Sequence, residues 1–212
     1  MAPPIETIGA TPKVSAALRA LTHNLSAVRN YANEFTSTVM LSDRLIQEKN
    51  SSPIEMRMMF GSWQDIAARS GVVTLYNFRM ALNSACSFHK SCNELSSKID
   101  HKMISSSKDI FLKRFPHTRE LRQAILHQAE LHSNDSRFKQ NAITKGLDDG
   151  PFKINGGTLI VQNLSVDRTF KTSFDGKLYE YDLTIDSIEV LLKTATELFK
   201  GFEGLRYQPP RQ

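Results

Sequence analysis

The sequence is organised around one stretch, residues 115–130, which reads FPHTRELRQAILHQAE. Its Phe-Pro pair ends a preceding helical run, because a residue before proline is pushed out of the α region. Thr118 is then suited to be the N-cap of a new helix that continues through Leu131. The stretch therefore predicts two helices separated by a short turn.

The flanking sequence is dominated by the helical period. Apolar residues recur at steps of three and four over 12–46, after Thr11 as N-cap, and again over 54–86. A third apolar pattern precedes the Phe-Pro pair over 99–115, and a last one covers 184–201. We therefore expect helices in all four ranges.

Two glycines lie inside the second of these helices. Gly61 and Gly71 each cost about 1 kcal/mol relative to Ala in a helix interior. Either they allow two helices to cross closely, or the helix breaks near Ser70 and Gly71. Arg69 and Tyr76 are the polar residues of this segment that could reach a site, and the methionines of 56–59 are interpreted as core filler.

Strand signals are confined to residues 152–183. Residues 165–172 alternate as one strand, and residues 178–183 alternate as another. Between them, Asp175-Gly176 supplies the positive φ angles of a tight hairpin turn. These patterns predict a small antiparallel sheet of two or three strands.

The expected fold class is mainly α, a four- to five-helix bundle with a small antiparallel β-hairpin sheet before the C-terminal helix. With 212 residues, the chain is suited to one domain. We assign a single helical domain to 12–205, with the hairpin insertion at about 152–183. Residues 1–11 are expected to be a disordered N-terminus, and 206–212 a flexible tail.

Composition indicates a cytoplasmic protein with no membrane-spanning segment. The N-terminus lacks the features of a signal peptide, and no apolar run approaches the roughly 18–20 residues that cross a bilayer. Cys86 and Cys92 are six residues apart on a predicted helix, so we expect two free thiols. No ligand spacing predicts a metal or another cofactor. The formal charge of +5 is compatible with a polyanionic partner such as RNA.

The segment Arg122-Gln123-Ala-Ile-Leu-His127 has the form Arg-x4-His on a predicted helix. It resembles the signature of the HEPN superfamily of all-α proteins. The resemblance implies a metal-independent endoribonuclease or RNA-binding protein in a toxin or phage-defence setting. It also implies a homodimer whose two Arg/His pairs share one cleft, and an antitoxin or other protein partner. The chain has Gln123 where active members commonly have Asn, Asp or His.

In the ribonuclease reading, Arg122 binds the scissile phosphate and His127 moves the proton. Arg119, Gln123 and Glu130 are the expected substrate-binding residues. On an ideal helix, residues five apart diverge by about 140°, so Arg122 and His127 share a face only loosely. Arg119, Gln123, His127 and Glu130 share one polar stripe better, which makes Arg119 the alternative cation.

A second interpretation is a non-catalytic helical dimerisation or protein-interaction module. Arg122 and His127 are then structural, and they pair with Glu120, Glu130 or a backbone carbonyl. A third interpretation, a small-molecule enzyme with its site in the bundle core, has no supporting motif in the sequence.

Overall fold

The structure is a computed structural model that describes residues 11–127, 130, 133–144, 147–149, 152–154, 158–162 and 164–205. The segment predicted to be disordered, 1–11, lies outside the described residues except for Thr11. The tail predicted at 206–212 lies outside them as well.

The described residues form helices, two 3₁₀ turns and five short strands. The helices are α1 (Pro12–Ser51), α2 (Ile54–Cys86), α3 (Phe88–Ser91), α4 (His101–Arg114), α5 (Thr118–Leu126), α6 (Asp135–Asn141) and α7 (Ile185–Gly201). The 3₁₀ turns are Asn93–Lys98 and Glu203–Leu205. The strands are β1 (Leu147–Asp149), β2 (Phe152–Ile154), β3 (Leu164–Val166), β4 (Thr169–Phe174) and β5 (Lys177–Asp182).

The predicted fold class is confirmed: the chain is mainly α, with a small antiparallel sheet before its C-terminal helix. The predicted cap of α1 is also confirmed, because Thr11 Oγ1 accepts the backbone N–H of Val14 at 3.3 Å. Nowhere in the described ranges does a helix combine the length and the apolar composition needed to cross a membrane.

The chain divides into two compact units. The first comprises the described residues of 1–36, 77–116 and 186–212, and the second those of 37–76 and 117–185. Each unit is therefore assembled from segments that are distant in sequence.

The core of the first unit is built on phenylalanines. Phe78 of α2 stacks on Phe111 of α4 with ring centroids 5.3 Å apart, and Phe111 contacts Phe115 at the same distance. Phe35 of α1 meets Phe115 edge-on at 6.2 Å. All four rings are buried. Phe115, which lies between the end of α4 and Pro116, is therefore also a core residue of this unit.

The two cysteines belong to the first unit and are reduced thiols outside any disulfide, as predicted. Cys92 is buried. Burial raises the pKa of the Cys86 thiol above its ordinary value. A raised pKa disfavours the thiolate, so the environment of Cys86 is not that of an activated nucleophile.

The second unit contains the sheet, in which β3, β4 and β5 pair antiparallel in that order. Phe170 lies opposite Tyr181 across β4 and β5. Asp175 and Gly176 have φ angles of 51° and 70°, so the predicted hairpin turn is confirmed. Helix α5 packs against β4 and β5. The four central residues of β4 are buried.

The single strand predicted over 165–172 is wrong, since the chain turns at Asp167 and Arg168 between β3 and β4. Asp167 has a φ of 51°, in the left-handed region. Gln64 of α2 donates from Nε2 to the Asp167 carbonyl at 2.5 Å, and Arg168 Nε donates to Asp43 of α1 at 2.5 Å. This turn is held by side chains that are distant in sequence. The alternation of residues within a strand cannot reveal such contacts.

Gly71 lies where α2 meets the sheet. A Cβ at this position would be 2.5 Å from the hydroxyl oxygen of Tyr181 and 3.3 Å from Thr38 Cγ2. The same hydroxyl donates to the carbonyl of Ala68 at 2.5 Å. Helix α2 continues through Gly71 without a break. The alternative of a helix break is therefore wrong. The close approach at Gly71 is made first by a strand residue, Tyr181 of β5, and then by Thr38 of α1.

Tyr181 makes the stability of the fold sensitive to alkaline pH. Burial raises its pKa well above the ordinary value near 10. The fold therefore favours the neutral phenol, and this contribution is complete below about pH 10 and is lost as the pH rises through the raised pKa. We expect the melting temperature to fall more steeply above about pH 10 in the wild type than in Tyr181→Phe. Circular dichroism melts across this pH range test it, and equal slopes for the two proteins would contradict it.

Candidate functional site

The Arg-x4-His stretch begins on α5, which is shorter than predicted. The carbonyl of His117 already accepts the N–H of Leu121 at 3.0 Å, so His117 occupies the N-cap position. At the other end, His127 is the C-cap residue and lies just outside the helix. The predicted Thr118 cap and the continuation of this helix through Leu131 are both wrong. The N-cap that follows the Phe-Pro pair is His117, one residue earlier than predicted. No Gly or Pro in the sequence marks the end of the helix at His127.

Arg122 is half-buried and stacks on an aromatic ring. Its guanidinium carbon lies 4.4 Å from the ring centroid of Tyr76, on α2. This distance is within the range of a cation–π interaction. Tyr76, identified from the sequence as a residue that could reach a site, therefore meets the arginine of the motif.

The Arg122–Tyr76 pair should stabilise the second unit measurably. We expect Arg122→Ala to lower the free energy of unfolding by about 1–2 kcal/mol, because the stack and the buried part of the side chain are lost. Arg119→Ala is the matched control on the same helix, and since Arg119 is exposed we expect a change within about 0.5 kcal/mol. Urea titrations of Arg122→Ala, Tyr76→Ala and the double variant should give a coupling energy of about 1 kcal/mol. A coupling energy of zero would show that the stack adds nothing.

His127 has different neighbours. Its Nδ1 lies 3.1 Å from Glu130 Oε2, and the same carboxylate oxygen lies 3.9 Å from Nη1 of Arg137, on α6. All three side chains are substantially exposed to solvent. The three residues thus form an acid–base cluster with one carboxylate between an imidazole and a guanidinium.

These residues line an open cleft of about 360 Å³. Its lining includes Gln123, His127, Glu130, Arg137, Gln140, Asn141 and Asp175. The cleft brings together three of the five residues predicted for the site, namely Gln123, His127 and Glu130. Arg122 and Arg119 are not among its lining residues.

Amide side chains build one wall of the cleft. Asn141 Nδ2 donates to the carbonyl of Arg137 at 2.8 Å, and Asn141 Oδ1 accepts the backbone N–H of Asp175 at 3.0 Å. Gln140 Nε2 donates to the carboxylate of Asp175 at 3.4 Å. Because Asn141 contacts both α6 and the β4–β5 turn, it joins the helix that carries Arg137 to the sheet.

Arg137 and the amides of α6 were missed by sequence reasoning. The sequence patterns predict no helix between Leu131 and the strand signals, whereas Asn134 caps α6 by accepting the N–H of Arg137 at 3.0 Å. The Asn-Asp pair before Arg137 was the available signal, since both residues favour helix N-termini. When the Asn-Asp pair is interpreted as a helix start, the sequence places Arg137 in the first turn of a helix.

The cleft offers a titratable imidazole beside a guanidinium, with carboxylates that balance the charge. An imidazole can transfer a proton near neutral pH, and a guanidinium can bind a phosphate. Across the residues that the structure describes, no group of three His, Cys, Asp or Glu side chains is arranged to hold a metal ion.

Comparison with known proteins returns no match among protein-family models, curated proteins or solved structures.

A second feature of the second unit is an exposed apolar surface on its helices. It comprises five side chains that are between 38% and 57% exposed, which we call the α1–α2 face: Leu41 of α1, and Met56, Met59, Trp63 and Ile66 of α2. The α2 members recur at steps of three and four and therefore share one side of the helix. The interpretation of the methionines of 56–59 as core filler is wrong, since Met56, Met58 and Met59 are exposed.

Three members of the α1–α2 face, Leu41, Trp63 and Ile66, line an open groove of about 340 Å³. The groove is lined by Thr38, Leu41 and Leu45 of α1 and by Trp63, Ile66 and Ser70 of α2, among others. Trp63 meets the ring of Phe60 edge-on, with centroids 5.7 Å apart, and Phe60 is buried. One side of the Trp63 indole is therefore held by the core while the remainder faces solvent.

Proposed function

We propose that this protein is a cytoplasmic, non-catalytic helical interaction module that binds a protein through the α1–α2 face. The observation that carries this proposal is the clustering of five large apolar side chains, all more than one third exposed, on one side of a helical pair. Water hydrates such a surface unfavourably, and contiguous apolar patches on folded proteins mark interaction sites.

The composition of the α1–α2 face is that of an interface centre. Tryptophan and methionine are enriched at protein interfaces, and tryptophan is among the residues that contribute most binding energy. Trp63 is the only tryptophan of the chain. Its contact with Phe60 limits its freedom before binding, so that less side-chain entropy is lost when a partner covers it.

The environments of Arg122 and His127 also favour this proposal. Arg122 stacks on Tyr76, and His127 pairs with Glu130. In the interaction-module interpretation, Arg122 and His127 have structural partners of this kind, and Glu130 is one of the partners that it predicts.

Site-specific crosslinking tests the interaction module. A photoreactive amino acid at Leu41, on the α1–α2 face, should give a discrete protein adduct in the host cell. The same amino acid at Leu192 is the matched control, because Leu41 is 52% and Leu192 is 47% exposed. The adduct from position 41 should disappear when Trp63→Glu is added. Equal adducts from both positions, or none from position 41, would contradict the proposal.

The second candidate function is a HEPN-type, metal-independent endoribonuclease, which the shared cleft of His127, Glu130 and Arg137 favours. In this reaction the 2′-hydroxyl oxygen of RNA attacks the adjacent phosphorus, the bond to the 5′-oxygen breaks, and a 2′,3′-cyclic phosphate forms. His127 would accept the proton of the 2′-hydroxyl, and a proton from the solvent would reach the leaving oxygen. Arg137 would contact the phosphate in place of Arg122, which stacks on Tyr76.

The ribonuclease is tested with RNA in the presence of EDTA. We expect His127→Ala and Arg137→Ala each to lower the rate about 100-fold or more, and Arg122→Lys to have a much smaller effect. If the cleavage rate falls with Arg122→Lys but not with Arg137→Ala, the residue that contacts the phosphate is Arg122. No cleavage by the folded wild type would exclude a general ribonuclease.

A further inference from the structure

We propose that the partner seated on the α1–α2 face is a second copy of this chain, so that the protein is a two-fold homodimer. This inference rests on the interaction function proposed above and names its partner. It assigns the subunit contact to the five side chains of the α1–α2 face, none of which lines the cleft around His127.

The apolar area matches what a stable dimer needs. A fully exposed large apolar residue presents about 200 Å², so the fractional exposures of the five side chains correspond to roughly 500 Å² in each copy. A standard interface buries about 800 Å² per partner, of which about 65% is apolar in the more hydrophobic homodimers. The α1–α2 face therefore supplies the apolar share of one such interface.

The shape of the face suits a copy of itself. A two-fold interface needs a surface that carries both a projection and the recess that receives it. Met59, Trp63 and Ile66 recur at steps of four and three and so form a ridge along α2. Trp63 and Ile66 also line the groove of about 340 Å³, together with Leu41 and Leu45 of α1. Two copies can thus insert their ridges into each other's grooves, as packed helices do.

The charges at the border of the face are compatible with the same symmetry. When two α2 helices pair antiparallel about an axis near Ser62, Glu55 of one copy faces Arg69 of the other, because both are seven residues from the axis. Glu55 is exposed, and Arg69 Nε donates to the carbonyl of Asp65, on its own helix, at 3.3 Å. On α1, Arg44 and Glu48 already form an ion pair. The two-fold arrangement therefore creates two opposite-charge contacts.

Trp63 makes the association directly observable, since no other tryptophan contributes to the emission. We expect sedimentation velocity to show twice the chain mass at micromolar concentration. Trp63 emission should shift to longer wavelength on dilution, as the indole returns to water. Ile66→Glu and Leu41→Glu should each yield a folded monomer with red-shifted emission. Leu192→Glu, on α7 and similarly exposed, should leave the dimer unchanged.

Charge reversal tests the two-fold register itself. Glu55→Arg and Arg69→Glu should each raise the dissociation constant of the dimer about ten-fold, and the double variant should return it to within about three-fold of the wild type. Additive losses in the double variant would overturn the register.

The remaining outcomes separate this inference from the function on which it rests. A wild type that stays monomeric with red-shifted Trp63 emission, or a dimer that survives Ile66→Glu, overturns the second copy as occupant. If position 41 still crosslinks to a different protein in the cell, the interaction module stands with another partner. If position 41 crosslinks to nothing, both proposals fail.

Discussion

Gly71→Ala is expected to lower the free energy of unfolding by about 2 kcal/mol, although alanine is the better helix former. The new Cβ would lie 2.5 Å from the hydroxyl oxygen of Tyr181, with Thr38 Cγ2 and Leu183 Cδ2 at 3.3 and 3.4 Å. The hydroxyl cannot withdraw without losing its hydrogen bond to the Ala68 carbonyl inside the core. Overpacking of this kind costs about 1–3 kcal/mol, and the broken hydrogen bond adds about 1 more, against about 1 kcal/mol of gain in helix propensity.

Gly61→Ala is the matched control on the same helix. Its Cβ would meet nothing closer than Lys49 Nζ, at 3.9 Å. We therefore expect the propensity gain to act alone and to raise the free energy of unfolding by about 1 kcal/mol. Urea titrations of the two variants should differ in sign. Stabilisation by both would show that Tyr181 moves aside at little cost. Combining Gly71→Ala with Tyr181→Phe should recover part of the loss, since the clashing oxygen is then removed.

Phe111→Ala should have the larger effect, a loss of about 3–5 kcal/mol in the free energy of unfolding. Phe111 is fully buried and contacts both Phe78 and Phe115, so its removal leaves a cavity between two rings. Thermal and urea unfolding measure the loss. Phe111→Leu keeps most of the volume and should cost about 1–2 kcal/mol, which provides a measurable value if the alanine variant does not fold.

Phe138→Ala is the control for the loss of a phenylalanine as such. Phe138 is 43% exposed, so the same change in composition leaves little cavity, and we expect a cost of about 1 kcal/mol or less. Similar losses for Phe111→Ala and Phe138→Ala would show that the stacked rings do not form the centre of the first unit.

Local sequence rules were sufficient for the long helices and for one turn. The bounds of α2 were readable from the break before Ile54 and the apolar period up to Cys86. Asp175-Gly176 carried its own turn signal. The turn at Asp167 did not, because a non-glycine residue there takes a left-handed conformation and its carbonyl accepts from Gln64, more than a hundred residues away. Sequence periodicity reports only on residues that are close along the chain, so it cannot reveal a contact between residues this far apart.

The candidate site also has a part that local sequence rules predicted and a part that they could not predict. The motif placed Gln123, His127 and Glu130 near one another, which helical spacing already indicated. It could not show that Arg122 stacks on Tyr76, because that contact joins two helices. Nor could an apolar period separate Phe60, which is buried, from Trp63 and Ile66, which are exposed. Exposure depends on what packs against a helix, and the pattern on the helix alone does not contain it.

The division of the chain into units has a consequence for its synthesis. The first unit needs segments from both ends of the described chain and from its middle, whereas the second is complete once residue 185 has been made. On the ribosome the second unit can therefore fold first, and the first must wait for α7 to leave the exit tunnel. Until then the apolar side of α1 that carries Leu18, Leu25 and Phe35 has no complete core to enter. The core of the first unit stays incomplete until α7 emerges, and this is the interval in which a chaperone would bind it.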